Sequence, residues 1–177
     1  MPGDDDIIQG CKRGDRKWQQ ELFLRYGRKL YGYCLRYAAN QEDANDLLQD
    51  GFVKIFDSIG SFKGESTLEA WMTRLIINMA ISRFRKRNSG PRFVEMDDLH
   101  IADDAEEIQV ASYDLGRVLS ALEGLPEKYR IVLNLYAIEK MSHKEIAEQL
   151  EISEGTSKST LSRARQMLKD QLEGNKR

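Results

Sequence analysis

The chain has 177 residues, 32% of them charged and 41% hydrophobic, with a formal net charge of −2. That length holds one large or two small domains with their own cores, and no apolar run is long enough to cross a bilayer as a helix. The slightly acidic balance excludes a protein that coats nucleic acid without specificity, since that requires a net positive surface. The start, Met1-Pro2-Gly3-Asp4-Asp5-Asp6, lacks the basic residues and apolar core of a signal peptide. Cys11 and Cys34 have no second Cys or His at ligand spacing, which makes them packing residues and leaves no metal site or disulfide framework. The reading is a soluble, cytoplasmic, all-α protein that needs no cofactor.

In chain order, Asp4 to Arg13 predicts a short helix whose acidic start suits the helix dipole, with Ile7, Ile8 and Cys11 inward and Gly14 as its end. A longer helix follows from Asp15 to about Ala39, with Trp18, Leu22, Tyr26, Leu30, Cys34 and Tyr37 on its buried face. Gly27 and Gly32 each weaken it by roughly 1 kcal/mol relative to Ala. Asn40 and Asp43 offer a cap to the next helix, whose apolar stripe is Ala44, Leu47, Leu48, Phe52, Ile55, Phe56 and Ile59. Its other face carries Asp43, Asp46, Asp50 and Asp57. Such a ridge is either solvated surface or a docking face for a basic partner.

Gly60 to Glu65 is a glycine-punctuated loop holding Phe62 and Lys63, and Ser66-Thr67-Leu68-Glu69 predicts a capping box. The helix after it packs through Leu68, Trp71, Met72, Leu75, Ile76 and Met79 and ends in Arg83-Phe84-Arg85-Lys86-Arg87. Cations at a helix C-terminus are favourable in any protein, but this run exceeds what the dipole needs and suits a nucleic-acid backbone. Asn88 to Pro91 breaks the helix. From Glu95 to Asp114 the composition turns acidic, with Asp97, Asp98, Asp103, Asp104, Glu106 and Glu107, which reads as a linker between two domains, 1–90 and 114–177. The charge of this linker lets it lie against a basic surface when DNA is absent, in which case neutralising its acids raises the affinity of the isolated protein for DNA.

The second domain starts near Leu115 with Val118, Leu119 and Leu122, and Pro126 fits the first turn of a helix with Tyr129, Val132, Leu133 and Tyr136 inward. Ser142-His143-Lys144-Glu145 is a capping box ahead of Ile146, Ala147 and Leu150. Glu151-Ile152-Ser153 forms a turn, and Ser153 caps a last helix with Ser157, Leu161, Ala164 and Leu168 on one face and Thr156, Lys158, Ser159, Ser162 and Arg163 on the other. This is either a DNA-binding helix-turn-helix, with the second helix in the major groove, or a plain helical hairpin with a basic outer face.

Four stretches carry a family resemblance: Glu42-Asp43-Ala44-Asn45-Asp46-Leu47-Leu48-Gln49-Asp50-Gly51-Phe52; Phe62-Lys63-Gly64 with Trp71-Met72 and Asn78; Leu125-Pro126-Glu127-Lys128-Tyr129-Arg130; and Gly155-Thr156-Ser157-Lys158-Ser159 with Arg163-Ala164-Arg165. In this order the chain resembles bacterial RNA polymerase sigma factors of the extracytoplasmic-function class, which keep two helical domains, regions 2 and 4. The resemblance implies that Asp43, Asp46, Leu47, Gln49, Asp50 and Phe52 dock on a coiled coil of the core polymerase. It implies that Phe62, Lys63, Arg74, Asn78, Arg83, Arg85, Lys86 and Arg87 capture and hold the melted minus-ten strand of promoter DNA, and that Thr156, Lys158, Ser159, Ser162 and Arg163 read the minus-35 element as duplex. It further implies an anti-sigma factor as a partner.

Trp71 shares a face with Leu68, Met72 and Leu75 and reads as core, and Arg165 is placed to pair with an acidic residue of its own domain. Ser157 departs from the family pattern, where a branched aliphatic is usual, and so does Thr160, where a basic residue is frequent. No catalytic constellation is present: His100 and His143 have no nucleophile or ligand at working distance in sequence, and Gly60 and Gly64 follow no strand. The competing reading is a stand-alone helix-turn-helix regulator, which predicts tight, polymerase-independent binding to a palindromic duplex.

Overall fold

The computed structural model describes residues 3–88 and 114–174, and among these the secondary structure is helical with no strand. The acidic linker and His100 lie outside the described residues. The chain forms two compact units, Met1–Arg83 and Phe84–Arg177.

The first unit is built from α1 (Asp4–Lys12), α2 (Arg16–Tyr37), α3 (Gln41–Ser58) and most of α4 (Leu68–Asn88), with a single 3₁₀ turn at Ile59–Ser61. Three aspartates start α1, and the Gly3 N–H donates to the Asp6 carboxylate at 2.9 Å. Ile7, Ile8 and Cys11 are buried as the spacing predicts, and Gly14 ends the helix in the left-handed region at φ +72°. The α1–α2 corner is closed by Gly10, where a Cβ atom would come within 2.0 Å of the Trp18 ring. Asp15 caps α2 by accepting from Lys17 N–H at 2.9 Å, and Asn40 caps α3 by accepting from Asp43 N–H at 2.8 Å.

The cap of α4 differs from the expected box. Its N-cap is Thr67, whose Oγ1 accepts from Ala70 N–H at 3.2 Å. The motif as read from Ser66 is one residue out of register, and Glu69 instead pairs with Lys29 of α2 at 2.8 Å. Leu68, Met72, Ile76, Ile77, Ala80 and Ile81 form the buried face of α4, while Trp71, Leu75 and Met79 are half-buried at its edge.

The second unit contains α5 (Leu115–Glu123), α6 (Glu127–Ala137), α7 (His143–Leu150) and α8 (Glu154–Gly174). Pro126 stands at the N-cap of α6 with extended backbone, one position before the first turn. Six consecutive residues of α6, Arg130 to Leu135, are buried, because α7 and α8 both pack on it. Arg130 is 5% exposed and donates to the carbonyl of Glu123, the last residue of α5, at 3.2 Å. Burial lowers its pKa, against the raising effect of Glu127 and Glu123. The capping box at α7 forms as read: Ser142 N–H donates to Glu145 Oε2 at 2.7 Å, and Glu145 N–H donates to Ser142 Oγ at 3.3 Å. Glu151 turns the corner in the left-handed region at φ +57°, and Ser153 Oγ accepts from Thr156 N–H at 3.0 Å to open α8.

Candidate nucleic-acid and polymerase surfaces

On α3 the sequence alternates between core and surface. Asp46, Gln49 and Asp50 are exposed and Asp43 is half-buried, whereas Leu47 and Phe52 are only 2% and 5% exposed. Those two side chains belong to the core of the first unit, where Phe52 packs against Phe23 and Phe56 with ring centroids 4.8 and 5.8 Å apart. Their part is to hold the helix, and the surface is left to its acids. The ridge also carries Val53, 61% exposed, one turn after Gln49 and two turns after Asp46. A helical wheel would have found it, because it falls between Asp46, Gln49 and Asp57 and outside the apolar stripe.

The loop before α4 is held at its root. The Phe62 ring lies tilted against Trp71 at 5.3 Å, Lys12 Nζ donates to the Phe62 carbonyl at 3.5 Å, and Gly64 turns with φ +77°. Lys63 remains exposed, and so do Arg74 and Asn78, one turn apart on the outer face of α4. Trp71 is therefore a support for Phe62 at the edge of the core. Arg83 is ion-paired with the Asp50 carboxylate and donates to the Asp46 carbonyl at 3.3 Å. One residue expected to hold DNA is thus bound to two expected to dock a partner. Arg85, Lys86 and Arg87 occupy the last turn of α4, past the division between the units.

In the second unit, Leu161, Ala164, Leu168 and Leu172 bury the inner face of α8, together with Ser157 at 0% exposure. Lys158 is exposed, and Thr156, Ser159, Ser162 and Arg163 are half-buried around it. Thr156 and Ser159 use their hydroxyls within the helix, Thr156 with Ser153 Oγ at 2.9 Å and Ser159 with the Thr156 carbonyl at 3.1 Å. These are local bonds that a base edge or phosphate can replace. Arg165 lies over the Tyr136 ring at 5.5 Å, an aromatic face in place of the acidic partner that its position on the helix predicts. Among the described residues no group of His, Cys, Asp and Glu could hold a metal ion, and no helix is long and apolar enough to cross a membrane.

Residues 22–90 match the family described as Sigma-70 region 2, and residues 115–168 match Sigma-70, region 4. The chain is 31% identical to the ECF RNA polymerase sigma factor SigW of Bacillus subtilis, over 93% of this chain and 94% of that protein. It is 29% identical to the ECF RNA polymerase sigma-E factor of Haemophilus influenzae, over 96% of this chain and 95% of that protein. With both regions matched in order and a relative at 31% identity covered almost end to end, the chain belongs to the ECF RNA polymerase sigma factors, DNA-binding proteins that direct core RNA polymerase to promoters.

Proposed function

We propose that the surfaces divide the work of promoter recognition as follows. The ridge of Asp43, Asp46, Gln49 and Asp50, with Val53 as an apolar anchor within it, docks on core RNA polymerase. Lys63, Arg74 and Asn78 receive the displaced minus-ten strand, Phe62 shapes the loop that does so, and the cations from Arg83 to Arg87 hold its phosphates. Extruding a base costs a few kcal/mol, so a folded loop with cationic walls favours the melted state. Thr156, Lys158, Ser159, Ser162 and Arg163 read the upstream duplex. The functional domains are 1–90 and 114–177, a division supported by the matches at 22–90 and 115–168. The protein has no catalytic activity of its own, works in the cytoplasm, and is held in check by an anti-sigma factor, as membership of the family implies.

The observation that carries this reading is the exposure of Asp46, Gln49 and Asp50 on one helix while Leu47 and Phe52 of the same helix are buried, which leaves a ridge presented outward. The test is transcription in vitro with core polymerase on a genomic promoter library, with and without the protein. Dependent starts that share paired upstream elements are expected, and Arg163→Ala is expected to weaken selection of the upstream element. No dependent start, with tight binding to a palindromic duplex by the protein alone, would make it a conventional regulator.

A further inference from the structure

The buried stripe of α8 is aliphatic except at Ser157, which is fully buried. The Ser157 hydroxyl lies 3.0 Å from Nδ1 of His143, the first residue of α7, and the pair shares a hydrogen bond. The His143 imidazole stacks on Tyr136, in the last turn of α6, with ring centroids 4.9 Å apart and planes 24° from parallel. Arg165, eight residues after Ser157 on α8, lies over the same Tyr136 ring. One chain of polar and aromatic contacts therefore joins three helices and returns to α8 at a second point.

A branched aliphatic at position 157 would hold α8 by packing alone. The hydrogen bond adds a fixed donor–acceptor length, 3.0 Å from His143 Nδ1 to Ser157 Oγ, which a rotation of α8 about its axis would stretch. Side-chain ends lie about 5–6 Å from a helix axis, so turning α8 by roughly 10° moves them by about 1 Å. That displacement is enough to spoil a bidentate contact with a base edge.

We propose that His143 is a positioning residue for promoter recognition: through Ser157 it fixes the rotation of α8, and so decides which of Lys158, Ser159, Ser162 and Arg163 reach base edges. This rests on the reading of α8 as the helix that reads the upstream element. His143 itself touches no base in this account, and its effect passes through Ser157.

The test uses holoenzyme reconstituted from core polymerase and the full chain. Binding is measured to a promoter with its matched upstream element and to one with that element scrambled, the minus-ten element being kept. His143→Phe preserves a ring to stack on Tyr136 and loses the hydrogen bond; Ser157→Ala removes the hydroxyl without crowding the core. Each is expected to lower the matched-to-scrambled ratio about tenfold while leaving binding to the scrambled promoter unchanged. The double variant is expected to be no worse than either single one, because both break the same bond.

A ratio unchanged by either variant, an equal loss on both promoters, or losses that multiply in the double variant would overturn the proposal. A purely structural role would lower the unfolding temperature and leave the ratio alone. If His143→Phe does not fold, Ser157→Ala decides by the same ratio. Arg163→Ala separates the levels: a ratio that falls for Arg163→Ala and holds for the other two removes only the positioning role. A ratio that holds for all of them removes the upstream reading of α8 as well.

Discussion

Asn78 stands on the outer face of α4 one turn from Arg74, and nothing in the fold requires an amide there, since both side chains are exposed. Asn78→Ala is therefore expected to leave folding unchanged and to slow promoter opening by about tenfold, as the loss of one good base contact implies; permanganate footprinting of the melted strand checks it. Cys34 makes the opposite case, of a residue fully occupied by the fold. Burial pushes its thiol from an ordinary 9.0 up to about 12, outweighing the lowering effect of Arg83. A raised thiol pKa means that the fold favours the neutral form, so this contribution to stability is complete below about pH 9 and is lost as the pH rises toward 12. Labelling with a thiol reagent at pH 8 is expected to modify Cys34 only at the rate of unfolding, and stoichiometric labelling of the native protein would contradict it.

Elements differ in how far they could be read from sequence. The capping box at α7, the Asn40 cap and the alternation of core and surface on α3 are local, so residue types at fixed spacing suffice to find them. Ser66 and Thr67 are both capping residue types and the sequence does not choose between them; in the fold Thr67 Oγ1 takes the Ala70 N–H while Glu69 pairs with Lys29, a contact distant in sequence. For α6 the spacing predicts a single inner stripe of Tyr129, Val132, Leu133 and Tyr136. The helix is packed on several sides, so Ile131 and Leu135 are fully buried while the two tyrosines lie half-buried. Long-range bonds such as His143 to Ser157 left only an anomaly in the sequence, a serine in an aliphatic stripe. The α1–α2 corner was likewise hidden, because Gly10 is needed for the approach of a ring eight residues away. Gly10→Ala must push the Trp18 ring aside and is expected to cost about 1–3 kcal/mol in urea unfolding of the full chain.

At the scale of the whole molecule, the proposed reading gives an acidic ridge to core polymerase and cationic or hydroxyl-bearing surfaces to DNA, within a chain whose charges nearly cancel at −2. In the reading proposed above the two DNA-reading surfaces belong to one chain, so engagement of the first raises the effective concentration of the second at its own element. Supplying residues 1–90 and 114–177 as separate polypeptides is expected to reduce promoter-dependent initiation at least tenfold, measured by transcription on a promoter with both elements. The second unit carries one further consequence, which concerns its assembly. Glu151 holds the left-handed conformation at the end of α7, a place where glycine is the usual occupant. A glutamate does not seek that conformation in the unfolded chain, so the corner is held by the packing of α7 on α8, in which Ile146, Leu150 and Leu161 are buried. A turn of that kind forms after the folding barrier, so Glu151→Gly, which relieves it, is expected to slow unfolding of this unit and to leave its refolding rate unchanged, read by stopped-flow circular dichroism.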